Sequence, residues 1–136
     1  MTAGTGPAGT GALGAATLIG FVSTADLGRA EAFYRDVLGL RHVETGPFAC
    51  VFDAGGTMLR VTAAPAVAQP GYTVLGWRVD DIAATMAELS ARGVEFRRYE
   101  GMGQDEAGVW TTPDGAQVAW FADPDGNMLS LTQFPA

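Results

Sequence analysis

Apolar positions along this chain follow two periods, and the periods alternate in the same order twice. From Leu27 onward, Leu27, Ala30, Phe33, Tyr34, Val37 and Leu38 recur at three- and four-residue spacing, which predicts a helix with one buried stripe. Asp26 precedes it as a side-chain cap for the free amides of the first turn, and Gly39 supplies a left-handed stop. Asp81, then Ile82, Met86 and Leu89, then Gly93 repeat that arrangement. Apolar runs open each copy from Thr17 and from Tyr72. Short runs bounded by Gly, Pro and Asp, at 41–44, 48–52, 57–62, 96–99, 117–121 and 127–132, carry strand signals. The predicted order is βαβββ, linker, βαβββ, an α+β fold with modules at 17–62 and 72–134 and a linker at 63–71. Residues 1–16 are nearly all Gly, Ala, Thr and Pro, too poor in apolar surface to offset their ordering entropy, and are expected to form a flexible tail. Residues 17–136 are then one domain of two modules.

Composition narrows the classes of function. The net charge of −7 disfavours nucleic acid and anionic membrane surfaces, which attract basic patches. No run approaches the ~18 apolar residues of a membrane span. The first basic residue is Arg29, so the N-terminal stretch lacks the positive region of a secretory signal, and Cys50 has no second cysteine to pair with. A cytoplasmic protein is the expectation. Asp123-Pro124-Asp125-Gly126-Asn127 reads as a tight turn returning the last strand across the sheet, with Asp53-Ala54-Gly55-Gly56 in the same role in the first copy.

The segment Asp26-Leu27-Gly28-Arg29-Ala30-Glu31-Ala32-Phe33-Tyr34-Arg35-Asp36-Val37-Leu38-Gly39-Leu40 resembles the first helix of the vicinal oxygen chelate superfamily. That superfamily holds glyoxalases, bleomycin-binding proteins, fosfomycin-resistance enzymes and extradiol dioxygenases. Phe121-Ala122-Asp123-Pro124-Asp125-Gly126-Asn127-Met128-Leu129 resembles its closing hairpin. The resemblance covers 17–134 and implies two βαβββ modules around one cleft, and a homodimer. It also implies where a metal would be held: one ligand seven residues before each capping Asp, and one, usually Glu, on each last strand. This chain has Ile19, Val74, Arg60 and Ser130 at those positions. None is an imidazole, thiolate or carboxylate, so no metal and no cofactor are expected in the cleft.

Strand alternation then sorts side chains by face. If the former ligand positions face the cleft, so do Phe21, Ser23, Met58, Thr62, Tyr72, Gly76, Arg78, Met128 and Thr132. The opposite parity, Leu59, Val61, Leu75, Trp77, Val79, Leu129 and Leu131, is apolar, as a helix-covered face should be. Phe48, Phe52, Trp110 and Trp120 are further candidates for the cleft. The expected ligand-binding set is therefore Ile19, Phe21, Phe48, Phe52, Arg60, Tyr72, Val74, Trp110, Trp120 and Ser130. Arg60 is either the polar anchor for a ligand's carboxylate, carbonyl or phosphate, or the partner of an internal carboxylate such as Glu44 or Glu95. The loop with Glu100, Asp105 and Glu106 would instead suit a cation. His42 and Glu44 are expected on one strand face, away from the ligand positions, and Cys50 as a small buried hydrophobe.

The leading expectation is a metal-independent protein that binds a small molecule, similar in kind to the drug-sequestering members. The alternatives are a superfamily enzyme of glyoxalase-like lyase, isomerase or dioxygenase type, metal-free with Arg60, Tyr72 or Ser130 polarising a carbonyl or with displaced metal ligands, and a structural dimer whose cleft is filled by side chains.

Overall fold

Both helices begin where the acidic caps place them. A computed structural model describes residues 9–136; the part of the expected tail at 1–8 lies outside the described residues. Asp26 Oδ1 accepts the Arg29 amide at 3.1 Å ahead of α1 (Leu27–Ala32), and Asp81 Oδ1 accepts the Ala84 amide at 3.0 Å ahead of α2 (Ile82–Ala91). Gly39 and Gly93 close them with φ of 75° and 95°. Periodicity did not foretell the π turn over Phe33–Val37 that continues α1, where the Leu38 amide donates to Phe33 O at 3.0 Å. Such one-turn insertions are local and often sit near sites.

The strands are β1 (Ile19–Thr24), β2 (Arg41–Thr45), β3 (Ala49–Ala54), β4 (Thr57–Ala63), β5 (Leu75–Arg78), β6 (Trp110–Thr111), β7 (Gln117–Ala122) and β8 (Met128–Gln133). They form two sheets of identical topology, β1-β4-β3-β2 and β5-β8-β7-β6, with the first and last strands of each module paired in parallel. The fold is the expected pair of βαβββ modules.

Two elements differ from the sequence reading. The segment at 96–99 is not a strand, and β6 takes the edge beside β7 instead. Gln104 explains this. Its amide nitrogen donates to Arg97 O and Gly108 O, and its amide oxygen accepts the Tyr99 amide, so a side chain takes the bonds a strand would have made. One ladder-like bond survives, from the Arg97 amide to Trp120 O at 2.7 Å. The second difference is a bulge in β2. His42 pairs with Phe52 but Glu44 pairs with Val51, so register shifts across Val43. An inserted residue reverses the faces beyond it. His42 and Thr45 therefore share the face of Phe52 and Cys50, while Glu44 points the other way, and the expectation that His42 and Glu44 share a face is corrected.

The faces otherwise sort as the alternation predicts. Cys50, Phe52, Leu59, Val61, Phe121, Leu129 and Leu131 are buried, together with Ala30 and Tyr34 from the first helical segment and Ile82, Met86 and Leu89 from α2, in one cluster spanning both modules. The rows Phe21–Arg60–Val51 and Gly76–Ser130–Trp120 lie on the opposite, open face. Gly76 sets the closeness of β5 and β8: a Cβ there would stand 2.8 Å from Ser130 Oγ. Gly76→Ala should cost about 1–2 kcal/mol, the scale of a small overpacking, measured by urea denaturation. An unchanged midpoint would mean Ser130 does not face Gly76.

The modules are tied by the acidic turn. Asp125, buried, accepts from the Thr24 hydroxyl at 2.5 Å, the Ala25 amide at 2.9 Å and the Arg29 guanidinium at 2.7 Å. Asp123 accepts from the Tyr34 hydroxyl at 2.7 Å, and Asn127 Nδ2 donates to Ser23 O at 2.8 Å. These carboxylates do more than shape a turn. Burial, reinforced by the Asp123 charge, drives the Tyr34 phenol far above its ordinary pKa, so it remains a donor.

Candidate functional site

The open face carries an unusual amount of bare apolar surface. Phe21 is 59 % exposed and Tyr72 65 %, and Ile19, Met58 and Val74 are exposed beside them. The face has a mixed make-up because alternation leaves the polar Arg60, Ser130 and Thr62 among apolar neighbours. The open faces of the two modules meet, since Phe21 and Ser23 of β1 and Tyr72 and Val74 ahead of β5 line one cavity.

Two cavities open on it. One of about 270 Å³ is lined by Phe21, Ser23, Tyr72, Val74 and Asn127, with Val67, Ala68 and Pro70 of the linker closing a side. The other, of about 350 Å³, is lined by Tyr72, Tyr99, Met102, Trp120 and Met128. Tyr72 lines both. Trp120 is held by a stack: Tyr99 meets it edge-on with ring centres 5.7 Å apart, and Trp110 stacks on it at 6.1 Å. Aromatic pairs in these geometries are rigid, so the second cavity has a firm apolar wall.

Arg60 lies in the middle of β4, half-buried, next to Phe21 across the parallel ladder. Among the described residues no carboxylate comes within 4.0 Å of its guanidinium. Glu44 shares its face, but Val51 lies between them in the register. Of the two readings of Arg60, the internal ion pair has no partner here.

The structure thus brings together Ile19, Phe21, Arg60, Tyr72, Val74, Trp110, Trp120 and Ser130 on the open face. It does not bring in Phe52, which is fully buried against Tyr34 and His42, with ring centres 5.8 and 5.4 Å away. The reason is its pairing with Leu59, which puts it on the helix-covered face. Phe48 precedes β3 and is exposed, outside the strand pairing that sets the face of the others. Sequence reasoning missed Tyr99, Met102 and the linker residues. Tyr99 was placed on a strand that does not form, and a Pro-containing linker carries no signal of what it will cover.

The donor chemistry at the four family ligand positions does not suit a divalent cation: two aliphatic side chains, a guanidinium and a hydroxyl. In the acidic loop, Asp105 is engaged by its own backbone. Asp105 Oδ1 accepts the amides of Ala107, Gly108 and Val109, which leaves it a turn former.

Among solved structures, the lactoylglutathione lyase of Agrobacterium tumefaciens is 24 % identical with a TM-score of 0.67, the match covering 88 % of this chain and 93 % of that one. A glyoxalase/bleomycin resistance protein from Catenulispora acidiphila is likewise 24 % identical, with a TM-score of 0.66 over 88 % and 98 % of the two chains. A glyoxalase family protein from Bacillus anthracis is 17 % identical, with a TM-score of 0.69 over 88 % and 94 %. At these identities the likeness is one of fold. No curated protein matches the chain. Among the described residues no helix is long and apolar enough to cross a membrane. The family model for the glyoxalase/bleomycin resistance protein/dioxygenase superfamily matches residues 16–131, and the chain belongs to that superfamily.

Proposed function

We propose that this protein is a metal-independent binder of a small aromatic or partly aromatic molecule bearing an anionic or carbonyl group. The observation that carries the reading is the guanidinium of Arg60, without an ion-pair partner among the described residues, on a face that is otherwise apolar and aromatic. A half-buried charge is costly to leave without a partner, and an arginine presents a flat fork of donors that matches a carboxylate. Arg60 itself lies outside both cavities but pairs with Phe21 across the ladder, and Phe21, Tyr72 and Trp120 line the cavities beyond it, so a polar anchor stands at the edge of apolar walls, the usual make-up of a small-molecule site. The bare apolar surface also supports a homodimer in which a second copy covers part of this face. Sedimentation analysis tests that part: a monomer at working concentrations would remove it.

The test of the reading is calorimetric titration with small aromatic carboxylates, before and after exhaustive chelation. Binding of the same strength in both is expected. Binding lost on chelation would overturn metal independence. The superfamily-enzyme alternative predicts that the titrant is consumed, which the same samples show by chromatography.

A further inference from the structure

The chain has one histidine and one cysteine, on the paired strands β2 and β3, and the fold sets both against Glu31 of α1. We propose that Glu31, His42 and Cys50 form a binding site for a zinc-class divalent cation on the helix-covered side of the first sheet, separate from the cleft. The ligand atoms of the three residues all lie within 4.8 Å of one another. His42 Nε2 and Glu31 Oε1 are 3.4 Å apart. A tetrahedral ion with bonds of about 2.0–2.3 Å holds its ligand atoms roughly 3.3–3.7 Å apart, so this pair already has the spacing and Cys50 needs a shift of about 1 Å.

The centre of the triangle is marked by the Thr45 hydroxyl. It donates to Glu31 Oε1 at 2.6 Å, and its oxygen is 2.7 Å from His42 Nε2 and 3.2 Å from Cys50 Sγ. One polar atom thus contacts all three donors, as a central ion would. Thr45 is exposed, so rotation about its χ1 clears the position. Glu31 and His42 are about a quarter exposed and give an entry path, while Cys50 is buried beneath them.

The bulge at Val43 is the independent sign that this arrangement is built. Without it, His42 and Thr45 would fall on opposite faces of β2; with it, both face Cys50 and the helix. Bulges commonly re-aim a side chain beside a site. The donor set, one imidazole, one thiol and one carboxylate, suits zinc and its neighbours rather than magnesium or calcium, which take oxygen. Three protein ligands leave a fourth position for water. A bound ion would staple the first helix to β2 and β3.

The experiment titrates cobalt(II), then zinc, into the metal-stripped full-length protein. One equivalent of cobalt should give a thiolate-to-metal charge-transfer band in the near ultraviolet, and zinc should abolish it. Cys50→Ser should lose the band. His42→Ala, at a partly exposed position, should weaken zinc at least about tenfold, since even outer-shell partners of a metal are worth about 10–100-fold. Zinc should also raise the melting temperature of the wild type, because it binds only the folded state, and not that of His42→Ala. Absence of the band, or zinc affinity unchanged in His42→Ala, would overturn the proposal and leave the cluster a hydrogen-bonded knot around Thr45. The cleft reading stands or falls separately, since none of these readouts involves Arg60.

Discussion

Asp123→Ala is expected to be the most damaging single change outside the hydrophobic core. Its carboxylate is 5 % exposed and accepts from four donors: the Tyr34 hydroxyl at 2.7 Å, the Asp125 and Asn127 amides at 2.9 Å each, and Asn127 Nδ2 at 2.8 Å. Tyr34 is fully buried and Asn127 nearly so, so neither donor has water to turn to. An orphaned buried donor costs about 1–3 kcal/mol, and the loss of this carboxylate leaves at least two, giving about 3–5 kcal/mol in all. Tyr34→Phe should cost about 1–2 kcal/mol, because the carboxylate keeps its other three donors. Urea denaturation of both variants checks this, with Asp123→Asn as a third that retains an acceptor. A loss below 1 kcal/mol for Asp123→Ala would show that water replaces the carboxylate and that the turn is not what joins the modules.

Arg60→Ala should separate binding from stability. If the guanidinium holds the anionic group of the ligand, affinity for a small aromatic carboxylate such as benzoate falls by about 1.5–3 kcal/mol, the worth of a hydrogen bond to a charged group. That is roughly a 10- to 150-fold rise in Kd. Folding should be untouched or slightly strengthened, because no described carboxylate within 4.0 Å is abandoned and a partly buried charge is removed. The combination decides the role. Weaker binding with an unchanged denaturation midpoint supports the anchor. A drop of several kcal/mol in stability would reveal a structural ion pair, and unaltered benzoate binding would refute the anchor outright.

The two findings rest on different kinds of information. The helices, their Asp caps, their Gly stops and the duplicated order of elements were legible because each depends on residues close in sequence. The facing of β1, β4, β5 and β8 was legible too, since alternation is a local rule and the covered parity was nearly all apolar. That local rule placed Phe21, Arg60, Val74 and Ser130 on one face correctly. It failed at Phe52, where the assignment of the strand to the cleft set was not anchored by a partner, and at His42, where a single inserted residue reversed the parity.

What the tertiary structure decided were the pairings across long separations. Only folding shows that Asp123 and Asp125 serve the first module rather than their own turn, because the donors Thr24, Arg29 and Tyr34 lie about a hundred positions away. Only folding shows that Gln104 replaces a strand, that among the described residues Arg60 has no carboxylate within 4.0 Å, and that Glu31, His42 and Cys50 converge. The sequence by itself determined the two modules and which side chains of β1, β4, β5 and β8 share the open face, since periodicity and capping act within one element. Which side chains meet on each face was left to packing, because hydrogen-bond partners and bulges are chosen by the competition among whole elements for the same buried space.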